Sequence, residues 1–170
     1  ANIYYAERDY AHALPLYFRA AEAGPEQALP WLNIALVQSK TGEMPEALAS
    51  CDKALARLKN PVSRQERKIR AWVLSTAADA SLRNGKEALR LLGTLKSLKN
   101  KTDVDLLDRY AAAYAETGDF AKAIDHEQRA ISDAKLQKAP DFILQEYEGR
   151  LSLYEKQQPC RTPRMESKMQ

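Results

Sequence analysis

The stretch Arg8-Asp9-Tyr10-Ala11-His12-Ala13-Leu14 returns further along the chain. Its echoes are Gly42-Glu43-Met44-Pro45-Glu46-Ala47-Leu48 and Gly118-Asp119-Phe120-Ala121-Lys122-Ala123-Ile124. A weaker copy is Arg83-Asn84-Gly85-Lys86-Glu87-Ala88-Leu89. The shared alanines, Ala13, Ala47, Ala88 and Ala123, stand 34, 41 and 35 residues apart. Ala20, Ala54, Leu95 and Ala130 keep the same intervals, and so do Tyr4, Gln38, Asp79 and Tyr114. Trp31, Trp72 and Leu107 repeat at 41 and 35. Agreement of several registers at once marks an internal repeat.

Each unit reads as two helices. Trp31, Ile34 and Ala35 share one face of a helix expected at about 26–40. Thr41-Gly42 ends it, and Pro45 falls in the first turn of the next helix, where a missing N–H costs little. Ala47, Leu48, Cys51, Ala54 and Leu55 then recur at three- and four-residue intervals, one apolar stripe. The fourth unit does the same with Leu107, Tyr110, Ala111 and Tyr114, then Phe120, Ala123, Ile124, Ala130 and Ile131. Two antiparallel helices on a tight turn approach closely only if the crossing residues are small. Ala13, Ala35, Ala47, Ala88, Ala111 and Ala123 are placed for that.

The pattern resembles the tetratricopeptide repeat (TPR) family over about residues 1–134. Trp31, Ile34-Ala35, Ala47, Cys51 and Ala54 take the family's positions in the second unit, and Tyr4, Ala13, Tyr17, Ala20 and Pro25 in the first. A narrower resemblance is to degenerate TPR arrays of large multidomain bacterial proteins of planctomycete type. It rests on Ala71-Trp72-Val73-Leu74, Arg83-Asn84-Gly85-Lys86-Glu87-Ala88, the run from Ala111 to Phe120, and Arg150-Leu151-Ser152-Leu153-Tyr154. The resemblance implies an all-α, right-handed solenoid with units at about 1–25, 26–60, 61–100 and 101–138, a capping helix at 140–155, and a repeat domain over 1–156. The first unit lacks half of its opening helix, so the array is expected to begin upstream. Pro15 is expected to kink the first unit's second helix. Ser63-Arg64-Gln65-Glu66 reads as a capping box opening a long helix from about Arg64 to Leu82. The tail at 157–170 reads as disordered.

Function follows from the same resemblance: a non-catalytic protein-interaction module, a scaffold or adaptor, holding a partner peptide or helix in a concave groove. By repeat register that groove comprises Asn2, Tyr5, Leu32, Asn33, Leu36, Ser39, Lys40, Val73, Ala77, Asp105, Asp108, Arg109, Ala112 and Glu116. Chaperone-binding members clamp a terminal carboxylate with Lys, Asn and Arg, and Asn33 alone matches that set. Asp105 and Asp108 would repel a carboxylate, so an apolar or basic segment is the expected ligand. Two other readings stand beside this one. The chain could be a regulatory appendage of a larger enzyme. It could also bind an acidic partner or nucleic acid through Arg57, Lys59, Arg64, Arg67, Lys68 and Arg70, six cations within fourteen residues that Glu66 alone opposes. Self-association through the open N-terminal edge is a weaker thought.

Composition narrows the classes. The chain has 170 residues, 45% apolar and 29% charged, with a net charge of +3, too balanced for the whole protein to be a polyanion binder. No run approaches the roughly 20 apolar residues of a membrane span. Two cysteines, Cys51 and Cys160, and two histidines, His12 and His126, leave little for disulfide, metal or acid–base chemistry. No nucleophile elbow or phosphate loop is present. No enzyme activity, cofactor, metal or small-molecule substrate is expected.

Overall fold

Short polar side chains start several helices in this computed structural model, which describes residues 1–57, 64–95 and 103–163. Asp9 accepts the His12 N–H and opens the second helix, α2 (Tyr10–Ala23), after a short α1 (Asn2–Ala6). Asn84 does the same through Glu87 N–H for α6 (Gly85–Gly93). Asp103 accepts from Leu106 at the start of α7 (Val104–Glu116), and Asp119 from Lys122 at the start of α8 (Phe120–Leu136). Each cap satisfies one of the orphan donors of a helix start. Between them lie α3 (Ala28–Thr41), α4 (Met44–Leu55) and α5 (Arg64–Thr76), and the last is α9 (Asp141–Glu155). Gly42 and Gly118 close α3 and α7 in left-handed conformation, with φ of 79° and 83°, where a side chain would be strained.

The described residues are all-helical, apart from a single bridge between Ala77 and Thr162. Each helix packs on its neighbour in sequence from α1 to α9, and α3, α5 and α7 also lie side by side. The crossings are where the small residues are. Ala13, Ala35, Ala47, Ala88, Ala111 and Ala123 are all completely buried. Larger side chains fill the space between pairs: Trp72, Tyr17, Tyr147 and Tyr154 are each no more than 8% exposed.

Three expectations change. First, α2 runs through Pro15 without a break, with the proline on the exposed side. Second, the long helix expected from Arg64 to Leu82 stops at Thr76 and resumes only as a 3₁₀ turn, Ala80–Leu82. The Ser75 and Thr76 hydroxyls bond back to Ala71 O and Trp72 O, at 2.7 and 2.9 Å. Arg83 then takes the carbonyls of Ala77 and Ala78, both at 2.9 Å, which leaves the helix no continuation. Third, part of the tail is a strap. Thr162 N–H donates to Thr76 O at 2.9 Å, and Arg161 pairs with Glu116 at 2.7 Å. Cys160 is buried, receiving the Tyr154 hydroxyl at 3.3 Å. Ser63 of the expected capping box, Lys59, and the tail from 164 on lie outside the described residues.

Two variants test this packing. Ala123→Asp places a charge in a crossing with no room or partner for it, and should cost about 4 kcal/mol or more, read by chemical denaturation. Thr162→Pro removes the N–H that pins the strap. Burial holds the Cys160 thiol up at about 11. The variant should make Cys160 react with a thiol reagent under native conditions, while the wild-type residue stays protected.

Candidate functional site

A cavity of about 410 Å³ lies where α1, α3, α7 and α9 face one another. Tyr5 of α1, Leu36 and Lys40 of α3, and Asp105, Asp108 and Arg109 of α7 line it. Phe142, Ile143, Glu146 and Tyr147 of α9 complete the wall. Arg8, in the turn after α1, ion-pairs with Glu146 and lies 4.6 Å from the Phe142 ring centre. That contact joins the first helices to the last across the mouth of the cavity.

Behind the wall is a buried charge cluster around Trp72. The Arg109, Arg150 and Lys40 cations lie 4.3, 5.5 and 5.7 Å from its ring centre. Asp105 accepts Lys68 at 2.8 Å and Arg109 at 2.7 Å. Burial by itself would raise the Asp105 carboxyl, but Arg109 and Lys68 outweigh it and hold the group well below the usual carboxylate range. Asp108, 2% exposed, accepts a hydrogen bond from Arg109 at 3.0 Å and forms an ion pair with Arg150 at 2.7 Å. Glu127 is fully buried and reaches Arg150 only at 3.4 Å. Burial first, and then Asp108, push its carboxyl far above the ordinary Glu range, against the pull of Arg150. Burial, with Arg109 beside it, pushes the Lys40 ammonium down to about 8.

The residues expected to share one groove separate into three groups and one lone residue, Glu116. Tyr5, Leu36, Lys40, Asp105, Asp108 and Arg109 meet in the cavity. Asn2 and Asn33 line a different hollow, of about 450 Å³, at the N-terminal end, beside the exposed Ile3 and Leu29. Leu32, Ser39, Val73, Ala77 and Ala112 are buried, because α3, α5 and α7 press against one another and use these positions as packing surface. Glu116 is spent on Arg83 and Arg161. The central stretch of the expected groove is therefore core. Nor do Asp105 and Asp108 make an acidic end that attracts a basic segment, since each already holds two cations.

The basic patch is likewise corrected. Arg70 pairs with Glu66 and Asp52, and Arg64 and Lys68 pair with Asp103 at 2.8 and 3.3 Å. Arg67 donates to Thr94, and Arg57 to the carbonyls of Pro25 and Lys53. Glu66 lies within the fourteen-residue window and Asp52 just before it, but Asp103 comes from an element remote in sequence, which the window could not reveal. Cys51 is fully buried, with its thiol pushed up to about 12 by burial. His12 stacks on Tyr4, and His126 sits against Tyr110 and Tyr114. Among the described residues, no group of three or more His, Cys, Asp or Glu side chains could hold a metal, and no helix is long and apolar enough to cross a membrane.

Sequence reasoning missed Glu127 and Arg150. Both carried a signal. Glu127 interrupts the buried stripe Ala123, Ala130, Ala134 of α8, and Arg150 interrupts Tyr147, Tyr154 of α9. A charge inside a small or aromatic stripe marks a buried ion cluster.

Compared with family models and with curated proteins, the chain matches none of them.

Glu127 yields a pH prediction. Its folded-state carboxyl titrates above its unfolded value of about 4.5. The folded chain therefore holds a proton that the unfolded chain has lost, and stability falls as pH rises from that value through neutrality. Glu127→Gln should raise the denaturation midpoint at pH 8 and flatten its slope against pH, read by urea melts from pH 5 to 9.

Proposed function

We propose that the chain is a TPR-like right-handed α-solenoid and serves as a non-catalytic protein-interaction module. In this reading the inner wall holds a short partner segment. One observation carries it. Six positions assigned to the inner wall by repeat register, from three helices up to about 100 residues apart in sequence, line a single cavity. Paired packing of successive helices, with α3, α5 and α7 side by side, supports the solenoid. So does the division of the buried apolar residues into clusters shared by neighbouring helices. The mechanism is display. A wall held by packed helices loses little freedom when a partner docks, so the cost of ordering falls mainly on the partner.

The cavity is small, and the Arg8–Glu146 contact bridges its mouth. A partner would therefore insert one or two side chains there rather than lie along an uninterrupted trough. The basic patch is the weaker candidate, because Arg64, Lys68 and Arg70 hold carboxylates and Arg57 and Arg67 donate to neutral oxygens.

Photo-crosslinking tests this reading. A crosslinker at Arg8 should capture a partner from the source lysate, and one at the exposed Glu22 should not. The double variant Asn33→Ala, Leu36→Ala should lose at least about tenfold in recovery while keeping its helical circular dichroism. Undiminished recovery would count against the inner wall.

A further inference from the structure

Cations and carboxylates in the cavity wall do not pair off completely. Asp105 holds Lys68 and Arg109, Asp108 holds Arg109 and Arg150, and Glu146 holds Arg8. Lys40 has no carboxylate within ion-pairing distance among the described residues. Its contact is the face of Trp72 at 5.7 Å, an indole that Arg109 and Arg150 already approach more closely. Lys40 is half-buried: burial and the Arg109 and Arg150 guanidinium groups weigh against its ammonium, while Asp108 and Asp105 attract it without forming an ion pair. Among the described residues that line the cavity, it is the cation without an ion pair, and so the one placed to meet an incoming anion.

The rest of the lining says what that anion is attached to. Leu36, Phe142, Ile143 and Tyr147 present aliphatic and aromatic surface on the same cavity. A volume of about 410 Å³ lies toward the lower end of the roughly 300–1,000 Å³ of small-ligand cavities. Lys40 offers a single compact charge rather than the flat fork of an arginine. Asp105 and Asp108 stand in the same wall, so a doubly charged phosphate would meet repulsion that a single negative charge can avoid.

Building on the inner-wall reading, we propose that the cavity binds a carboxylate carried on an apolar body, with Lys40 as its charge partner. The carboxylate comes either from a free small acid or from an Asp or Glu side chain next to an aromatic residue in a partner segment. The apolar body lies against Phe142 and Tyr147, and the carboxylate meets the Lys40 ammonium beside Trp72. This reverses the ligand charge expected from the sequence.

Calorimetric titration of the full chain tests the proposal in two arms. One compares 3-phenylpropionate with 3-phenylpropionamide. The other compares the doubly blocked dipeptides acetyl-Phe-Glu-amide and acetyl-Phe-Gln-amide. The acid should bind about tenfold or more tightly than its amide in at least one arm, and the arm in which it does so names the source. Lys40→Met should abolish the preference, and Lys40→Arg should retain it. Because Lys40→Met breaks no ion pair, its melting temperature should equal or exceed that of the wild type, which separates lost binding from lost folding. Equal binding of acid and amide in both arms overturns the proposal, as does a preference that survives Lys40→Met. The partner reading fails separately, by undiminished recovery of the Asn33, Leu36 double variant.

Discussion

Close approach of paired helices is the constraint on which the remaining architecture depends. Two helices can cross at short distance only where a methyl group or less stands between them. Ala13, Ala35, Ala47, Ala88, Ala111 and Ala123 meet that condition and have no exposed surface. Once the pairs are this tight, their outer faces become the walls against which larger residues pack. Trp72 and Tyr154 occupy such seams, and Trp72 then becomes the platform for the charge cluster. Buried apolar contact supplies the general driving force, but the small crossings decide which faces meet.

The buried ions have a different role. Asp108, Arg109, Glu127 and Arg150 lie where hydrophobic residues of similar volume would stabilise at least as well. Oxygen atoms of Glu127 find no hydrogen-bond donor in good geometry, so the cluster holds some uncompensated polarity. Such an arrangement fixes how α7, α8 and α9 sit together, because a slipped packing would strand a charge. It also creates the field inside the cavity. The same guanidinium groups that pair with Asp105 and Asp108 press on Lys40, which those two carboxylates attract in turn.

Both ends of the chain are held by contacts distant in sequence. Arg8 reaches Glu146 and Phe142 on the last helix. Thr162 reaches Thr76, and Arg161 reaches Glu116 and Ser75. The strap fills the space opened where α5 stops short. All of these contacts except Arg161–Glu116 close loops of more than 80 residues. The entropic cost of closure grows slowly with loop length, so a few well-made polar contacts suffice once the helices between are stacked.

The helical character and the positions of the crossings were legible in the sequence, because both arise from local periodicity. An alanine stripe at three- and four-residue spacing reports its own burial. A Gly after the last apolar residue, or an Asp before the first, reports a helix end through the backbone groups it frees or satisfies. Charge is different. Whether Arg64, Lys68 or Lys40 is paired depends on which side chain a remote helix brings within about 4 Å, and no short window of sequence contains that information. The expected groove divided for the same reason: Val73 and Ala112 face inward by register, and only the stacking of neighbouring helices turns inward into buried. Local spacing thus set the helices and their small faces. Three-dimensional assembly alone decided which charges are spent, which surfaces remain open, and that Lys40 has no ion pair among the described residues that line the cavity.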